Sequence, residues 1–395
     1  MMMKRPTLGV NMIIRDEAEN LPKSLAPVMD LCDEAVVVDT GSKDGSKALA
    51  RSYGARVFDY PWRGDFSAAR NQALYSARTD YVLWLDADNH ISPQCFEALR
   101  DALPGVNAPP AVVMCAERVL PQGDLLWQKR VFPKRPGVLF TGVVHEQLTH
   151  PEWMAVKLVD AEITHWGYAD PAEARRKGER NLKLLLDAPG TLAGDFYHLY
   201  QTGRTLLNLR HFAEARGYLQ RAAQSATANL PLWSHSVILL SDCWKALGDM
   251  SRAETSLRHL TEMRPGYGPG RYFLGRFLYG AGRADEAAAE LAAALELGLS
   301  DPGWGAAAEK LSFTCASILG KILSERGDDQ GAERAYMLAL KFSPANPEPR
   351  VALAELALVA GRTERAQELI WKALELAPFH RKARHLAREI SGGSA

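Results

Sequence analysis

The 395-residue sequence predicts an α/β domain followed by an all-α repeat solenoid. Three observations predict it. Short β-branched or aromatic runs alternate with amphipathic segments over residues 1 to about 165. From about residue 171 the strand signals vanish, and Ala, Leu, Glu and Arg dominate. Within that second part an alanine recurs a few residues after a turn, at Ala215, Ala253, Ala287, Ala332 and Ala366, with spacings of 38, 34, 45 and 34.

In the first part, Leu8–Ile14, Ala35–Val38, Arg56–Tyr60 and Tyr81–Leu85 read as strands, each bounded by turn residues. Helical patterns lie between them, over Glu17–Leu31, Lys43–Tyr53 and Phe66–Ala77. Ser92-Pro93 reads as an N-cap and first helical residue opening Gln94–Ala102. Alternating strand and helix predicts a mostly parallel sheet covered on both faces. Ligands of such sheets sit at the carboxyl ends of the strands.

In the second part Gly248, Gly282, Gly327 and Gly361 each stand five before an anchor alanine, and Pro265, Pro344 and Pro378 twelve after one. The glycine closes a first helix in a left-handed cap. The alanine lets a second helix approach the first, and the proline ends it. The pattern resembles the tetratricopeptide repeat, whose period is about 34 residues. The resemblance implies that Gly203, Gly275 and Gly320 fall at its small-residue position in the first helix. Five units fit: 196–229, 234–267, 268–301, 313–346 and 347–380. A capping helix over 381–390 would hide the last apolar face. The expected division is 1–170 for the α/β domain, 171–195 for a helical linker and 196–390 for the repeats.

Composition sets outer limits. Lys+Arg and Asp+Glu both total 47, so the formal net charge is zero. A broadly basic nucleic-acid binder or polybasic membrane-surface protein is excluded. A hydrophobic fraction of 47% supports a real core and excludes a mainly disordered chain. The five cysteines are scattered and form no CxxC pair, which points to reduced thiols in a cytoplasmic protein rather than zinc or disulfides. Signal-peptide and membrane-spanning patterns are not expected.

The chemistry concentrates after the strands. Leu83-Trp84-Leu85-Asp86-Ala87-Asp88 ends an apolar strand in two carboxylates at i and i+2. Strand alternation turns both to one side, within reach of one cation, and oxygen ligands suit Mn²⁺ or Mg²⁺. Val36-Val37-Val38-Asp39-Thr40-Gly41-Ser42 puts a second acid at a strand end. Asp39 can accept a hydrogen bond from a base N–H or ribose hydroxyl. Neither a P-loop nor a GxGxxG turn is present.

These segments, with Asn11-Met12-Ile13-Ile14-Arg15-Asp16-Glu17 and Phe66-Ser67-Ala68-Ala69-Arg70-Asn71, resemble family 2 glycosyltransferases of the GT-A fold. The resemblance spans about 165 residues. It implies that Arg15, Glu17 and Asp39 surround the nucleotide base or ribose, with Arg70 on the nucleotide side. Asp86 would contact the ribose or the metal, Asp88 would hold the metal on the donor diphosphate, and the late His165 would serve metal or diphosphate. In Val144-His145-Glu146-Gln147 the family's usual acidic pair is missing. Glu146 is the candidate general base, with His145 next. Arg130 is a candidate for neutralising the leaving diphosphate. Trp62, Trp127 and Trp166 could line an acceptor site or pack in the core.

The two-part layout resembles bacterial peptide and protein glycosyltransferases, including peptide S-glycosyltransferases with attached repeats. It implies an inverting transferase that uses a nucleotide-sugar donor, most often a UDP-sugar. The acceptor would be a peptide or protein held partly by the repeats. The catalytic half alone also resembles lipopolysaccharide-core glucosyltransferases. The repeats could instead form a homodimer, and a repeat scaffold with a vestigial transferase domain is a competing reading. No nucleic-acid partner is expected.

Overall fold

The computed structural model describes residues 5–120, 124–166, 171–189, 194–225, 229–300 and 307–392. Gly167, Tyr168 and residues 190–193 of the expected linker lie outside that set. The chain divides into two compact units, Met1–Tyr218 and Leu219–Ala395.

The first unit is built on an eight-stranded sheet. Strands β1 (Leu8–Ile14), β2 (Glu34–Asp39), β3 (Arg56–Asp59) and β4 (Tyr81–Trp84) run parallel in the order β3-β2-β1-β4. Both faces are covered, so β2 reads as a continuous apolar run rather than an alternating one. Ala35 and Val37 join one core with Leu8, Met12, Leu83 and Phe96. Val36 and Val38 join the opposite core with Trp84, Phe132 and Phe140.

The expected helix over Glu17–Leu31 is broken. It forms a short α1 (Leu21–Ser24) and a 3₁₀ turn at Ala26–Val28. Pro22 starts the first and Pro27 sits in the second, and a proline ring cannot continue an α-helix through its interior. Helices α2 (Ser46–Ser52) and α3 (Phe66–Ser76) follow their strands. Ser92 caps α4 (Pro93–Asp101), its hydroxyl accepting from the Cys95 N–H at 3.2 Å.

Beyond β4 the sheet is mixed, so the parallel expectation holds only for its first half. The order continues through β7 (Asp124–Pro133), β6 (Ala111–Val119), β10 (Ala155–His165) and β5 (Asn89–Ile91). The β4–β7, β7–β6 and β10–β5 pairs are antiparallel. Only four residues separate β6 from β7, too few for a parallel crossover. Strands β8 (Leu139–Thr141) and β9 (Gln147–Thr149) make a separate hairpin. Helix α5 (Pro171–Leu186) and helix α6 (Phe196–Asn208) complete the unit, and α7 (Phe212–Gln224) crosses its boundary.

The second unit is helical. Its pairs are α8 (Leu230–Ala246) with α9 (Met250–Met263), α10 (Gly268–Gly280) with α11 (Ala284–Leu297), α12 (Ala307–Glu325) with α13 (Asp329–Phe342), and α14 (Glu348–Val359) with α15 (Thr363–Leu376). Helix α16 (Arg381–Gly392) follows. The anchor alanines are fully buried. Gly248, Gly282, Gly327 and Gly361 take φ of 72–83°, the left-handed cap the spacing predicts. Between α6 and α7 Arg210 takes φ 68° at the equivalent position, which hid that turn from a glycine pattern. At Gly275 a Cβ would lie 2.8 Å from Leu291, so the small residue is what lets α10 meet α11. Among the described residues no helix is long and apolar enough to cross a membrane.

Candidate active site

The carboxyl ends of β1 and β2 are tied together by short polar side chains. Asp39, the last residue of β2, is 2% exposed. Its Oδ1 accepts from the Gly41 and Ser42 N–H groups at 2.8 and 2.9 Å. Its Oδ2 is buried with no hydrogen-bond partner. Across the gap, Asp16 adopts φ 56°, which a short polar residue tolerates better than most. Asp16 Oδ1 accepts from the Lys43 N–H at 2.6 Å, and the Asp16 N–H donates to Ser42 Oγ at 2.9 Å. Of its two neighbours singled out from sequence, Arg15 is exposed and Glu17 is half-buried. Burial raises the Glu17 pKa, with the Asp88 charge adding to it against a hydrogen bond from Asn20.

Asp86 is the hub of a buried ion network. Its Oδ1 accepts from Arg70 at 3.0 Å and from the Trp84 indole N–H at 3.0 Å. Its Oδ2 accepts from Arg130 at 3.1 Å. Burial pushes its pKa up, but Arg70, Arg130 and the indole outweigh that and hold it well below the usual carboxylate range. Arg130 also donates to Glu117 at 2.7 Å, and both side chains are 8% exposed. The pairing register slips between Val113/Val131 and Met114/Lys129, so Arg130 is the extra residue of a bulge in β7. Bulges beside sites re-aim a side chain, and this one delivers a guanidinium to two acids.

Asp88 lies two residues beyond the hub. Its Oδ1 is 3.4 Å from His165 Nδ1, and its Oδ2 is 4.0 Å from Lys177 Nζ on α5. The same ring nitrogen is 3.0 Å from Asn89 Nδ2 and 3.7 Å from Glu117. Burial raises the Asp88 pKa, and the Asp86 charge adds to it against His165 and Lys177. The Asp88 carboxylate fits a divalent cation, whereas the His165 nitrogen that faces it already accepts from the Asn89 amide and would have to release it to serve as a ligand. Asp86 fits a cation poorly, because arginines and an indole already occupy both its oxygens. Among the described residues no group of three His, Cys, Asp or Glu side chains is arranged to hold a metal ion. Further ligands would have to come from a bound phosphate or water.

His145 and Glu146 sit in the loop of the β8–β9 hairpin, after Gly142 at φ 96°. The Glu146 side chain is 8% exposed and forms an ion pair with Arg70 Nε. One guanidinium therefore holds both Glu146 and Asp86. It also lies 4.3 Å from the Trp84 ring centre and 5.3 Å from that of Phe140. Burial, then the charges of Arg204 and Arg180, push His145 down to about 4, so its imidazole is neutral at pH 7.

The family model for glycosyl transferase family 2 matches residues 10–145, and a tetratricopeptide-repeat model matches residues 245–311. Residues 10–145 are a family 2 glycosyl transferase domain. A TPR repeat-containing protein of Synechococcus elongatus is 37% identical over 44% of this chain and 46% of its own. The SPbeta prophage-derived glycosyltransferase SunS of Bacillus subtilis is 24% identical over 55% of this chain and 53% of its own. An uncharacterized glycosyltransferase of Rickettsia bellii is 32% identical over 21% and 28%. The chain spans about half the length, or less, of these relatives.

Within the first unit the structure gathers Asp86, Asp88, Arg70, Glu146 and His165 into one connected set, and leaves Arg15 outside it. Six contributors lie outside the sequence expectations, Asp16 among them. Trp84 and Glu117 looked like strand residues, although an acid within the apolar run Ala111–Val119 was a signal. Asn71 mimics a strand: its amide exchanges two 2.8 Å hydrogen bonds with the Phe140 backbone and docks the hairpin on α3. Lys177 and Tyr197 lie beyond the transferase match. Trp62 packs edge-on against Phe66, with ring centres 4.7 Å apart, while Trp127 and Trp166 are exposed.

Proposed function

We propose that the chain is a metal-dependent, inverting glycosyltransferase. It would move a hexosyl or N-acetylhexosaminyl group from a UDP-sugar to a peptide or protein held in part by the repeats. The observation that carries the reading is Asp39. A buried carboxylate oxygen with no protein partner, at a strand's carboxyl edge, costs about 1–3 kcal/mol or more until a donor meets it. The imide N–H of uracil or a ribose hydroxyl is such a donor. Glu17 lies on the same edge, and Arg15 follows the neighbouring strand.

The family 2 match and relatives named as glycosyltransferases support the reaction class. The repeats support a polypeptide acceptor, since stacked helix pairs make extended binding surfaces. In this reading Asp88 and His165 hold Mn²⁺ or Mg²⁺, which when bound neutralises charge on the leaving diphosphate. Lys177 adds a cation beside Asp88. Arg130, committed to Glu117 and Asp86, fixes the hub rather than facing phosphate. Glu146 takes the proton from the acceptor nucleophile as the new bond forms. Its ion pair with Arg70 aims it, and the neutral His145 is the neighbouring base.

A panel of sugar nucleotides with Mn²⁺, read by thermal shift, tests this. A UDP-sugar at 100 times its Kd should stabilise the chain by about 2.7 kcal/mol. Asp88→Ala should remove the Mn²⁺-dependent part. A panel without any shift, together with no donor hydrolysis, would leave a vestigial domain on a repeat scaffold. Transfer to lipopolysaccharide-core or other glycans, with polypeptides unmodified, would change the acceptor.

A further inference from the structure

The geometry points to Tyr197 on α6 as a positioning residue for the His145–Glu146 loop. The first helix that the sequence assigns to the repeats thus becomes a working part of the transferase site. The catalytic half of this inference rests on the function proposed above; the structural half does not.

His145 is held at φ 55°, a left-handed conformation that costs a residue with a Cβ on the order of 1–2 kcal/mol. Such a conformation persists where its surroundings over-determine it. The Tyr197 hydroxyl donates to the His145 carbonyl at 2.8 Å. The same phenol oxygen accepts from Gln147 Nε2 and from Gln201 Nε2, each at 2.7 Å. One donation and two acceptances are a hydroxyl's full capacity. Both amides offer N–H groups, so the O–H has one direction left, toward His145. Gln147 Nε2 also reaches the His145 carbonyl at 3.3 Å.

The rest of the loop is held on both sides. Val143 and Val144 pack on Leu185 of α5, with Phe66 and Leu184 against them. The Phe66 N–H donates to the Val143 carbonyl at 2.9 Å. Thr141 pairs with Gln147 across the hairpin. Tyr197 supplies the fastening at the strained residue itself, one position before the carboxylate that pairs with Arg70. The transferase match ends at residue 145, so this fastening comes from outside it. Burial pushes the Tyr197 pKa to about 12, so the hydroxyl remains a donor throughout the neutral range.

The test is Tyr197→Phe in the full chain, which keeps the ring and removes the hydroxyl. Losing one such hydrogen bond predicts about 5- to 10-fold faster amide exchange over residues 144–147, with β1 and β4 unchanged. It also predicts a similar fall in kcat, with donor KM and the donor-induced thermal shift unchanged. Unaltered exchange in 144–147 overturns the positional role, whether or not the chain transfers sugar. Faster exchange with unaltered kcat overturns the catalytic consequence. A wild-type chain inactive with every donor defeats the proposed function, and the exchange result still decides what Tyr197 holds.

Discussion

Replacing Arg130 with methionine removes a charge but nearly conserves volume, so its cost isolates the buried ion network. Arg130 sits between Asp86 at 3.1 Å and Glu117 at 2.7 Å and is only 8% exposed. Its loss leaves Glu117 buried without its guanidinium, and leaves Asp86 with Arg70 and the indole. Removing one partner of such a pair costs about 3–5 kcal/mol. At roughly 2–4 °C per kcal/mol for a unit this size, the first unit's melting point should drop by about 6–20 °C. Arg118 and Glu162 provide the control. Their two contacts are also 2.7 Å, but the side chains are 38% and 36% exposed. Arg118→Gln should cost no more than about 1 kcal/mol, because water screens that pair. Urea unfolding read through amide exchange in β4 and β7 separates the first unit from the second. The sign with pH is fixed too. The Asp86 pKa is depressed in the fold, so its contribution is present above its unfolded value of about 3.9 and fades as pH falls below it. The wild type and Arg130→Met should therefore converge in acid. A neutral-pH loss under 1 kcal/mol, or one equal to that of Arg118→Gln, would refute the network as described.

Gly275→Ala should destabilise by about 1–3 kcal/mol, since its Cβ would meet Leu291 at 2.8 Å and overpacking outweighs a helix-propensity gain of about 1 kcal/mol. Gly217→Ala, at a helical site with open space, should stabilise by about 0.5–1 kcal/mol; equal signs in urea melts would contradict the packing argument. Asp39→Asn keeps an oxygen for the Gly41 and Ser42 N–H groups, so the fold should survive while UDP affinity by calorimetry falls about 10- to 100-fold; unchanged affinity removes Asp39 from the nucleotide site. His145 is depressed from about 6.5 to about 4, so its stabilisation is complete above pH 6.5 and is lost as pH falls toward 4, at most about 3 kcal/mol. His145→Gln should flatten urea midpoints between pH 6.5 and 4, and an unaltered slope would show that the imidazole titrates normally.

The legible parts of the sequence are those where one residue type has one physical job. Gly248 and its equivalents cap helices, Ala253 and its equivalents seat them, and the repeats follow. The first four strands are short apolar runs ending in turns, and the acids placed at their ends stand at the sheet's carboxyl edge. Strand β7 was illegible because Asp124–Pro133 mixes Lys129 and Arg130 with apolar residues. Its charge is tolerable only because a bulge turns Arg130 onto Glu117 of the adjacent strand, and no local pattern encodes that partner. Asp16, between Arg15 and Glu17, carries no local signal for a similar reason. Its role lies in a left-handed backbone and in bonds to a loop 27 residues away. Tyr197 read as a repeat residue, and its partner is 52 residues upstream.

Arg70 explains why these parts form one site rather than two. Its planar fork spans Asp86 on the strand side and Glu146 on the hairpin side, a geometry that a lysine's single ammonium cannot reproduce. Trp84 and Phe140 bracket the guanidinium from β4 and β8, and Asn71, one residue on, fastens β8 to the same helix. The acid proposed to take the acceptor proton therefore cannot shift without disturbing the acid beside the proposed donor. Charge within the cluster points the same way. Asp86, Glu117 and Glu146 outnumber Arg70 and Arg130 by one, and Asp88 adds another negative charge that Lys177 faces at 4.0 Å. Counted with Lys177, this cluster in a chain neutral overall keeps a formal surplus of one negative charge. An anionic diphosphate alone would meet repulsion there, whereas a diphosphate arriving with its divalent cation would not. That surplus is the electrostatic reason the proposed donor and its metal would bind as a unit.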